Sequence, residues 1–294
     1  MIRIVVLGSG GAVPSPVRNL PSIAIRYAGD VYLFDCAEGT QRQMMKYKIS
    51  YAKVKCIFIS HIHPDHILGI PGLVYTLKMM ERKEKLYIFG PKGTEKRIRE
   101  LVGNNVEFLE VKDIDENFEY EITDAKIKAF KTNHTQYSLG YIFEENSKRR
   151  FHKEKCKDLG IKGIMFKILE ENGEIEIKEN NEIKKIKIEE VTYIKNGRKI
   201  VYTGDTAYCE DFVEKIKNAD ILFHEATFLE RDREEAERDK HSTVLDAAKI
   251  AKLSNAKKLV IFHISNRYKD EKEILEEGKK EFENIQVAKD GFQI

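Results

Sequence analysis

The sequence predicts a layered α/β fold, in which β-sheets are covered by helices. Short apolar segments rich in β-branched residues alternate with amphipathic segments of helical periodicity. This alternation runs through both halves of the chain, and no fixed-period repeat or low-complexity linker divides it. Such a pattern is typical of sheets packed against helices. We therefore expect one domain over residues 1–294, with a charged insertion at 144–196.

Each predicted element follows from its own residue pattern. In the first half, strands are predicted at 2–7, 22–27, 31–34, 55–59 and 86–89, and helices at 40–48, 68–82 and 93–101. In the second half, strands are predicted at 199–202, 221–223 and 258–262, and helices at 210–218, 244–253 and 271–282. The opening apolar run is short and meets a Gly-rich turn at once. It therefore indicates a strand, because a signal peptide needs a longer apolar region and a cleavage site.

Composition limits the class of protein. No apolar run approaches the roughly 18 residues of a membrane span, so we expect a cytoplasmic protein with no membrane partner. The cysteines Cys36, Cys56, Cys156 and Cys209 are scattered, which argues against a disulfide framework or a thiolate zinc site. The formal net charge of +2 does not by itself indicate a nucleic-acid partner. The high Lys and Glu content without Trp is typical of hyperthermophile proteins.

The segment after the strand at 55–59 has the densest cluster of potential metal ligands in the chain. His61, His63, Asp65 and His66 lie within six residues, a clustering that packing alone does not explain. Imidazoles and a carboxylate without a thiol are ligands for zinc or a similar divalent ion. Crowded at a strand end, these side chains can converge on one point without supporting a core.

Three further candidates each follow an apolar run. His134, Asp205 and His263 could all project from the same edge of a sheet, although each taken alone would more often be structural. The distribution of histidines changes that weighting, because only His152 of the eight lies in the charged insertion. The other seven occur at strand ends or in short loop motifs, which favours a single site.

The pattern His61-x-His63-x-Asp65-His66, followed by the three later candidates, resembles the ligand pattern of the metallo-β-lactamase superfamily. The resemblance implies a four-layer αβ/βα sandwich with two zinc ions per subunit at one edge of the paired sheets. In the ligand set that it implies, one zinc is held by His61, His63 and His134, the other is held by Asp65, His66 and His263, and Asp205 bridges them.

Four shorter motifs are similar to those of the ribonuclease Z family within this superfamily. They are GSGGAVP at 8–14 with Arg18-Asn19, DCAEGTQ at 35–41, HEAT at 224–227 and HST at 241–243. The opening glycines do not fit a dinucleotide fingerprint, because Val13 stands where a third glycine is needed. The resemblance implies a zinc-dependent endonuclease that cleaves precursor tRNA on its 3′ side, and a homodimer.

The resemblance also suggests catalytic roles. Family precedent gives Asp65 the part of general base, and His241 is the candidate proton donor because it lies outside the ligand set. Glu225 could hydrogen-bond that imidazole and raise its pKa, or it could pair with a neighbouring basic side chain. The Ser242-Thr243 pair is expected to cap the helix at 244–253, whose free N–H groups would favour a phosphate.

The insertion at 144–196 is strongly charged and poorly periodic. On charge alone it indicates a solvated hairpin or loop. The family resemblance instead implies a protruding arm, about 145–170, that grips tRNA away from the cleavage site. The basic residues expected to give this arm its phosphate affinity are Lys148, Arg149, Arg150, Lys153, Lys155, Lys157, Lys162 and Lys167. The Gly-Pro-rich segment common in the family's arm is absent, since residues 160–164 contain no proline.

Two other functions stay open. A hydrolase of a small phosphodiester, sulfate ester or thioester explains the metal ligands equally well but leaves the basic insertion and the late motifs unexplained. A non-catalytic RNA- or metal-binding protein would be favoured by a lost ligand or a lost His241, and neither is lost. Ligand type favours zinc without excluding manganese or iron, and the position of the cut within the precursor is not determined.

Overall fold

The structure, a computed structural model, describes residues 2–179 and 182–294. The chain divides into two compact units. The first comprises the residues up to Glu144 together with Lys199–Ile294, and the second is Glu145–Arg198. Residues 180 and 181 of the predicted insertion lie outside the described residues. Among the described helices, none has the length and apolar character needed to cross a membrane.

Strands and helices alternate along most of the described chain. The strands are β1 (Arg3–Gly8), β2 (Ser22–Tyr27), β3 (Asp30–Phe34), β4 (Val54–Phe58), β5 (Leu86–Gly90), β6 (Leu109–Asp113), β7 (Glu119–Ile122), β8 (Ala125–Lys131), β9 (Leu139–Glu145), β10 (Lys148–Phe151), β11 (Glu174–Glu179), β12 (Glu182–Lys187), β13 (Thr192–Lys195), β14 (Lys199–Tyr202), β15 (Ile221–Glu225), β16 (Leu259–Phe262) and β17 (Ile285–Val287). The helices are α1 (Thr40–Lys46), α2 (Pro64–Ile67), α3 (Gly69–Met79), α4 (Thr94–Val102), α5 (Lys153–Asp158), α6 (Ile164–Asn172), α7 (Ile188–Val191), α8 (Val213–Ile216), α9 (Arg233–Asp239), α10 (Val244–Leu253) and α11 (Glu271–Gly278).

The first sheet contains β1 to β6 in sequence order. Strands β1, β2 and β3 are antiparallel neighbours, and β3, β4, β5 and β6 are parallel. Parallel strands place their carboxyl ends at one edge of the sheet, where ligand sites of α/β folds commonly lie. The loop that follows β4 carries His61 and His63 to this edge.

The second sheet has the order β17-β16-β15-β14-β9-β8-β7. Strands β14 to β17 are parallel, and β9 runs antiparallel to β14. The carboxyl ends of β14, β15 and β16 therefore share one edge. Asp205 follows the first of these strands, Glu225 ends the second, and His263 follows the third.

The two sheets face each other across an apolar layer. Phe34 and Phe58 of the first sheet pack against Tyr141 of the second, at ring-centroid distances of 5.9 and 5.4 Å. A second core lies between the outer face of the first sheet and α1, α3 and α4. A third lies between the outer face of the second sheet and α8, α10 and α11. The predicted four-layer αβ/βα sandwich is confirmed.

Several predicted bounds are wrong for local reasons. The helix predicted at 40–48 ends at Lys46, because Lys48 has a left-handed backbone with φ 57°. The helix predicted at 210–218 is reduced to the single turn α8. Strands β6, β7 and β17 are not among the predicted elements. Strand β7 is at the edge of its sheet and only four residues long, with two glutamates alternating with Tyr120 and Ile122, so it lacks the apolar run that indicates a strand.

The second unit has a small core of its own. Strand β10 pairs with β13 and β11 pairs with β12, both antiparallel. Cys156, Leu169 and Val191 are buried together, and the ring of Phe151 packs edge-on against Phe166 at 4.9 Å. This part of the chain is therefore a folded unit, although its charge pattern suggested a solvated hairpin or loop.

Candidate metal centre

The segments that follow the carboxyl ends of strands carry all seven ligand candidates. His61 and His63 follow β4, and Asp65 and His66 lie in the short helix α2, which begins at Pro64. The other candidates follow β8, β14 and β16, and they are His134, Asp205 and His263. The structure brings all of these side chains to one site between the facing sheets.

Asp205 lies at the centre of the cluster. Its Oδ2 atom is surrounded by the Nε2 atoms of His66 at 3.2 Å, His263 at 3.3 Å, His61 at 3.7 Å and His134 at 4.0 Å. The Asp205 side chain is only 2% exposed. A carboxylate so enclosed by imidazoles occupies the position expected of a ligand shared by two ions.

The remaining ligand atoms form two groups around this carboxylate. In one, His63 Nδ1 lies 2.9 Å from His61 Nε2 and 3.2 Å from His134 Nε2. In the other, Asp65 Oδ2 lies 3.6 Å from His66 Nε2 and 3.5 Å from His263 Nε2. Within each of these triads, the ligand atoms lie within 4.8 Å of one another. The triads are the same two sets that the family resemblance implies.

The donor set fits divalent ions. His66 Nε2, Asp205 Oδ1 and His263 Nε2 are buried and make no hydrogen bond to any described residue. A buried polar atom without a partner costs about 1–3 kcal/mol, so a further partner at these atoms is expected. Imidazole nitrogens and carboxylate oxygens are ligands of zinc and related ions. The residues present therefore fit the metal ions that the family implies.

Hydrogen bonds from the opposite ring nitrogens orient these imidazoles. His66 Nδ1 donates to Asp35 Oδ2 at 2.7 Å, and His134 Nδ1 donates to the carbonyl oxygen of Lys240 at 2.8 Å. His263 Nδ1 lies 2.8 Å from Thr227 Oγ1. Such partners fix the ring tautomer and leave Nε2 free to bind a metal. None of these partners is predictable from the sequence, because no local pattern connects residues so distant in the chain.

His241 and Glu225 form a charged pair beside the cluster. His241 Nδ1 donates to Glu225 Oε1 at 2.7 Å and lies 4.0 Å from Asp205 Oδ2. Burial lowers the pKa of His241, but the Glu225 carboxylate outweighs this effect and raises the pKa to about 9. Burial likewise raises the pKa of Glu225, yet the attraction of His241 leaves it lowered. Of the two partners predicted for Glu225, the structure shows His241, through the hydrogen bond given above.

The start of α10 differs from one expectation. Thr243 caps the helix as predicted, since its side chain accepts a hydrogen bond from the Asp246 backbone N–H. Asp246 in turn accepts from the Thr243 N–H, and the Val244 N–H donates to the Phe228 carbonyl. These amides are therefore already bonded, so the predicted phosphate site on free N–H groups is wrong for them. Ser242 is not a cap and donates to the Thr206 carbonyl at 2.6 Å.

Arg18 and Asn19 act within the opening loop. Arg18 donates to Ser9 Oγ at 2.8 Å and pairs with Glu271 at 2.9 Å. The Asn19 N–H donates to Asp290 at 2.7 Å. Burial lowers the pKa of Arg18, against the opposing effects of Glu271 and Asp290. These residues tie the loop to the C-terminal segment, so their contacts are structural.

The predicted tRNA-binding residues lie in the second unit. Lys148, Arg149 and Arg150 lie on β10, Lys153, Lys155 and Lys157 on α5, and Lys162 between α5 and α6. The eighth, Lys167, lies on α6, and all eight side chains are exposed. Arg149 pairs with Glu189 at 3.5 Å. Gly160 and Gly163, on either side of Lys162, have positive φ, so glycine rather than proline shapes this turn.

Comparisons with known proteins agree with the geometry. A family model described as Anti-Pycsar protein Apyc1 matches residues 2–154, and one described as Beta-lactamase superfamily domain matches residues 186–264. A curated protein of Sulfurisphaera tokodaii named Ribonuclease Z is 39% identical over 291 residues, which are 98% of this chain and 96% of that protein. This chain belongs to the ribonuclease Z family.

Further relatives of the ribonuclease Z family support this assignment. The protein named Ribonuclease Z of Methanosarcina acetivorans is 40% identical over 311 residues, covering 100% of this chain and 98% of that protein. The crystal structure of human tRNase Z, short form, has a TM-score of 0.68 and 27% identity, and covers 99% of this chain and 98% of its own. The chain therefore carries the metallo-β-lactamase fold over its whole length.

Proposed function

We propose that this chain is an endoribonuclease that cleaves precursor tRNA on its 3′ side. One observation carries the proposal: a complete His/Asp ligand set surrounds Asp205, and the His241–Glu225 pair lies directly beside it. The relatives named Ribonuclease Z support the choice of substrate. Phosphodiester hydrolysis needs an activated water, neutralised phosphate charge and a proton for the leaving oxygen, and this arrangement offers groups for each.

The ligand set is proposed to hold two zinc ions. His61, His63 and His134 would hold one, Asp65, His66 and His263 would hold the other, and Asp205 would be shared. When bound, such ions neutralise charge on the phosphate and lower the pKa of water close to them. Asp205 and the six other side chains fix where this chemistry takes place.

Two residues are proposed to handle protons. Asp65 Oδ2 accepts a hydrogen bond from the Ala12 N–H at 3.1 Å, and Asp65 is proposed to orient the attacking water and accept its proton. His241 keeps Nδ1 on Glu225 and would donate a proton from Nε2 to the leaving oxygen. Against the opposing effect of burial, the Glu225 carboxylate raises the pKa of His241 to about 9, which favours the protonated imidazole that a general acid requires.

The basic residues of the second unit are proposed to bind tRNA phosphates. Exposed Lys and Arg side chains position a nucleic acid without reading its bases, and their contribution falls steeply with salt. Replacing Lys148, Arg149 and Arg150 by Gln should therefore weaken precursor tRNA binding and reduce its salt dependence. It should leave hydrolysis of a small phosphodiester unchanged, because that substrate does not need the second unit.

The deciding experiment uses purified protein and a 3′-extended precursor tRNA. Wild type, Asp65→Ala and the triple Gln variant are compared on this precursor and on a small chromogenic phosphodiester. We expect wild type to cleave both substrates, Asp65→Ala to cleave neither, and the triple variant to lose mainly precursor cleavage. If wild type leaves the precursor intact but hydrolyses the small diester, the alternative of a small-molecule hydrolase is favoured. Loss of neither activity in Asp65→Ala would contradict its proposed role.

We further propose a homodimer and a cytoplasmic location. A homodimer would cover the exposed apolar side chains on α1 and α3, which are Met45, Tyr75 and Met79. Light scattering on wild type and Met79→Glu tests this, since Met79 is 85% exposed and its replacement should harm only an interface. A monomeric wild type would contradict the dimer. The cytoplasmic location stays a prediction.

A further inference from the structure

A groove of the first unit opens directly beside the His/Asp cluster. Its volume is 660 Å³, and its walls include the loop that carries Ile62 and His63 and the loop of residues 135–137. His63 is an exposed member of the cluster and also lines this groove. A molecule in the groove can therefore contact His63 of the cluster.

The groove presents an aromatic face to solvent. The Tyr137 side chain is 41% exposed, and Ile62 is 37% exposed. The Lys92 ammonium lies 5.5 Å from the centroid of the Tyr137 ring. An exposed aromatic ring with a neighbouring cation is the usual platform on which single-stranded nucleic acids stack a base.

Cationic side chains lie on one side of this ring, in the groove. Lys92, Lys96 and Arg97 line the groove, and among the described residues only Arg97 of these forms an ion pair, with Glu100 at 3.4 Å. The two lysines are exposed and carry charge available for an anion. An adjoining cavity of 370 Å³ is also lined by Lys92 and Tyr137, and it adds Lys131 together with the carboxylates Asp115 and Glu116. The groove thus combines a stacking surface with phosphate-binding groups.

We propose that this groove binds single-stranded nucleotides of the 3′ trailer, with a base stacked on Tyr137 and phosphates bound by Lys92 and Lys96. The inference deepens the proposed function and depends on it for the identity of the strand. A volume of 660 Å³ falls within the range of about 300–1,000 Å³ that holds small ligands, so it admits a few nucleotides but no double helix. In a 3′-extended precursor, the trailer is the strand that is single-stranded over several nucleotides beside the cut.

Trailer length provides the test. Two precursor tRNAs are compared, one with a trailer of a single nucleotide and one with a trailer of about six nucleotides. Each is cleaved with wild type, with Tyr137→Ala and with the double variant Lys92→Gln/Lys96→Gln. On the long trailer, we expect each variant to lower kcat/KM about tenfold, mainly through KM. On the short trailer, the variants should match wild type. A general structural defect would lower both rates alike, and that result would overturn the proposal.

Two matched variants serve as controls. Tyr137→Phe keeps the ring and should cleave the long trailer as wild type does. Lys83→Gln removes an exposed lysine from a separate cavity, lined also by Arg82 and Asn105, and should change neither rate. If Tyr137→Phe lost as much activity as Tyr137→Ala, stacking on the ring would be excluded.

Binding of a fluorescent single-stranded hexanucleotide RNA, followed by anisotropy, separates this inference from the proposed function. We expect wild type to bind it about tenfold more tightly than Tyr137→Ala, with or without cleavage of any precursor. If wild type shows this difference in binding but does not cleave the precursor, tRNA cleavage is refuted and the single-strand binding site in the groove is retained. Equal binding by wild type and Tyr137→Ala would overturn the groove itself.

Discussion

Asp35 Oδ2 accepts a hydrogen bond of 2.7 Å from His66 Nδ1, and both side chains are fully buried. The same carboxylate accepts from the Ser60 N–H at 2.7 Å and from the Tyr202 hydroxyl at 2.6 Å. This network holds the His66 ring so that Nε2 faces Asp205. Asp35 lies in the turn after β3 and is outside the ligand set, yet it sets the orientation of the candidate ligand His66.

Asp35→Asn is therefore expected to weaken metal binding. The amide nitrogen cannot accept the hydrogen bonds that the carboxylate accepts, so His66 loses its fixed tautomer and orientation. Loss of such a partner typically costs about 10–100-fold in metal affinity. Competition with a chromogenic chelator measures this directly. Unchanged affinity would show that His66 is oriented without Asp35.

Two comparison variants make the Asp35 result specific. Tyr202→Phe removes one donor to the carboxylate and keeps the ring in the core, so a smaller loss of metal affinity is expected. Asp211→Asn replaces an exposed carboxylate and should change nothing. Equal losses for Asp35→Asn and Asp211→Asn would point to a general charge effect.

The candidate ligands were accessible to sequence reasoning because they share a local pattern. His61, His63 and His66 crowd one strand end, and the later candidates each follow an apolar run that becomes a strand. Parallel strands then bring these ends to one edge, which is a property of the fold class. The layered fold was predictable because most residues of its central strands are apolar.

The partners of those ligands were not accessible to the same reasoning. His134 Nδ1 donates to the backbone carbonyl of Lys240, more than a hundred positions along the chain, and a backbone acceptor leaves no mark on the residue type. Strand β7 is not predicted because it is a four-residue edge strand in which every second side chain is a glutamate. The amides at the start of α10 were expected to be free, but a capping box with Asp246 uses two of them.

Glu225→Gln is expected to lower the pKa of His241 from about 9, because burial persists while the main opposing charge is removed. The folded-state pKa lies above the ordinary value of 6.5, so protonation of His241 stabilises the fold. That contribution is fully present below about pH 6.5 and is lost as the pH rises through about 9. An NMR titration of His241 in chelator-treated protein measures the shift. An unchanged pKa would mean that Glu225 does not set the protonation of His241.

Removal of metal is expected to lower the free energy of unfolding. His66 Nε2 and His263 Nε2 are buried without a hydrogen-bond partner among the described residues, so a bound ion satisfies atoms that the chain alone does not. An ion that binds only the folded state adds about 2.7 kcal/mol when its free concentration is about 100 times Kd. Denaturant unfolding with zinc and with a chelator measures the difference. Asp205→Asn should respond much less to zinc, and an equal response in both proteins would refute a site centred on Asp205.

Gly11→Ala is expected to impair the metal site while leaving the fold intact. A Cβ atom at Gly11 would lie 2.5 Å from His263 Nδ1, so the imidazole would have to move away from Thr227. The backbone of Gly11 is not left-handed, and alanine is therefore allowed there. Zinc affinity and precursor cleavage should both fall, with near-wild-type unfolding in chelator-treated protein. Gly72→Ala on α3 is the matched control, because its Cβ would meet only Gln41 Oε1 at 3.8 Å. If Gly11→Ala binds zinc as tightly as wild type, the loop that contains Gly11 shifts to relieve the clash and the His263 ring stays in place.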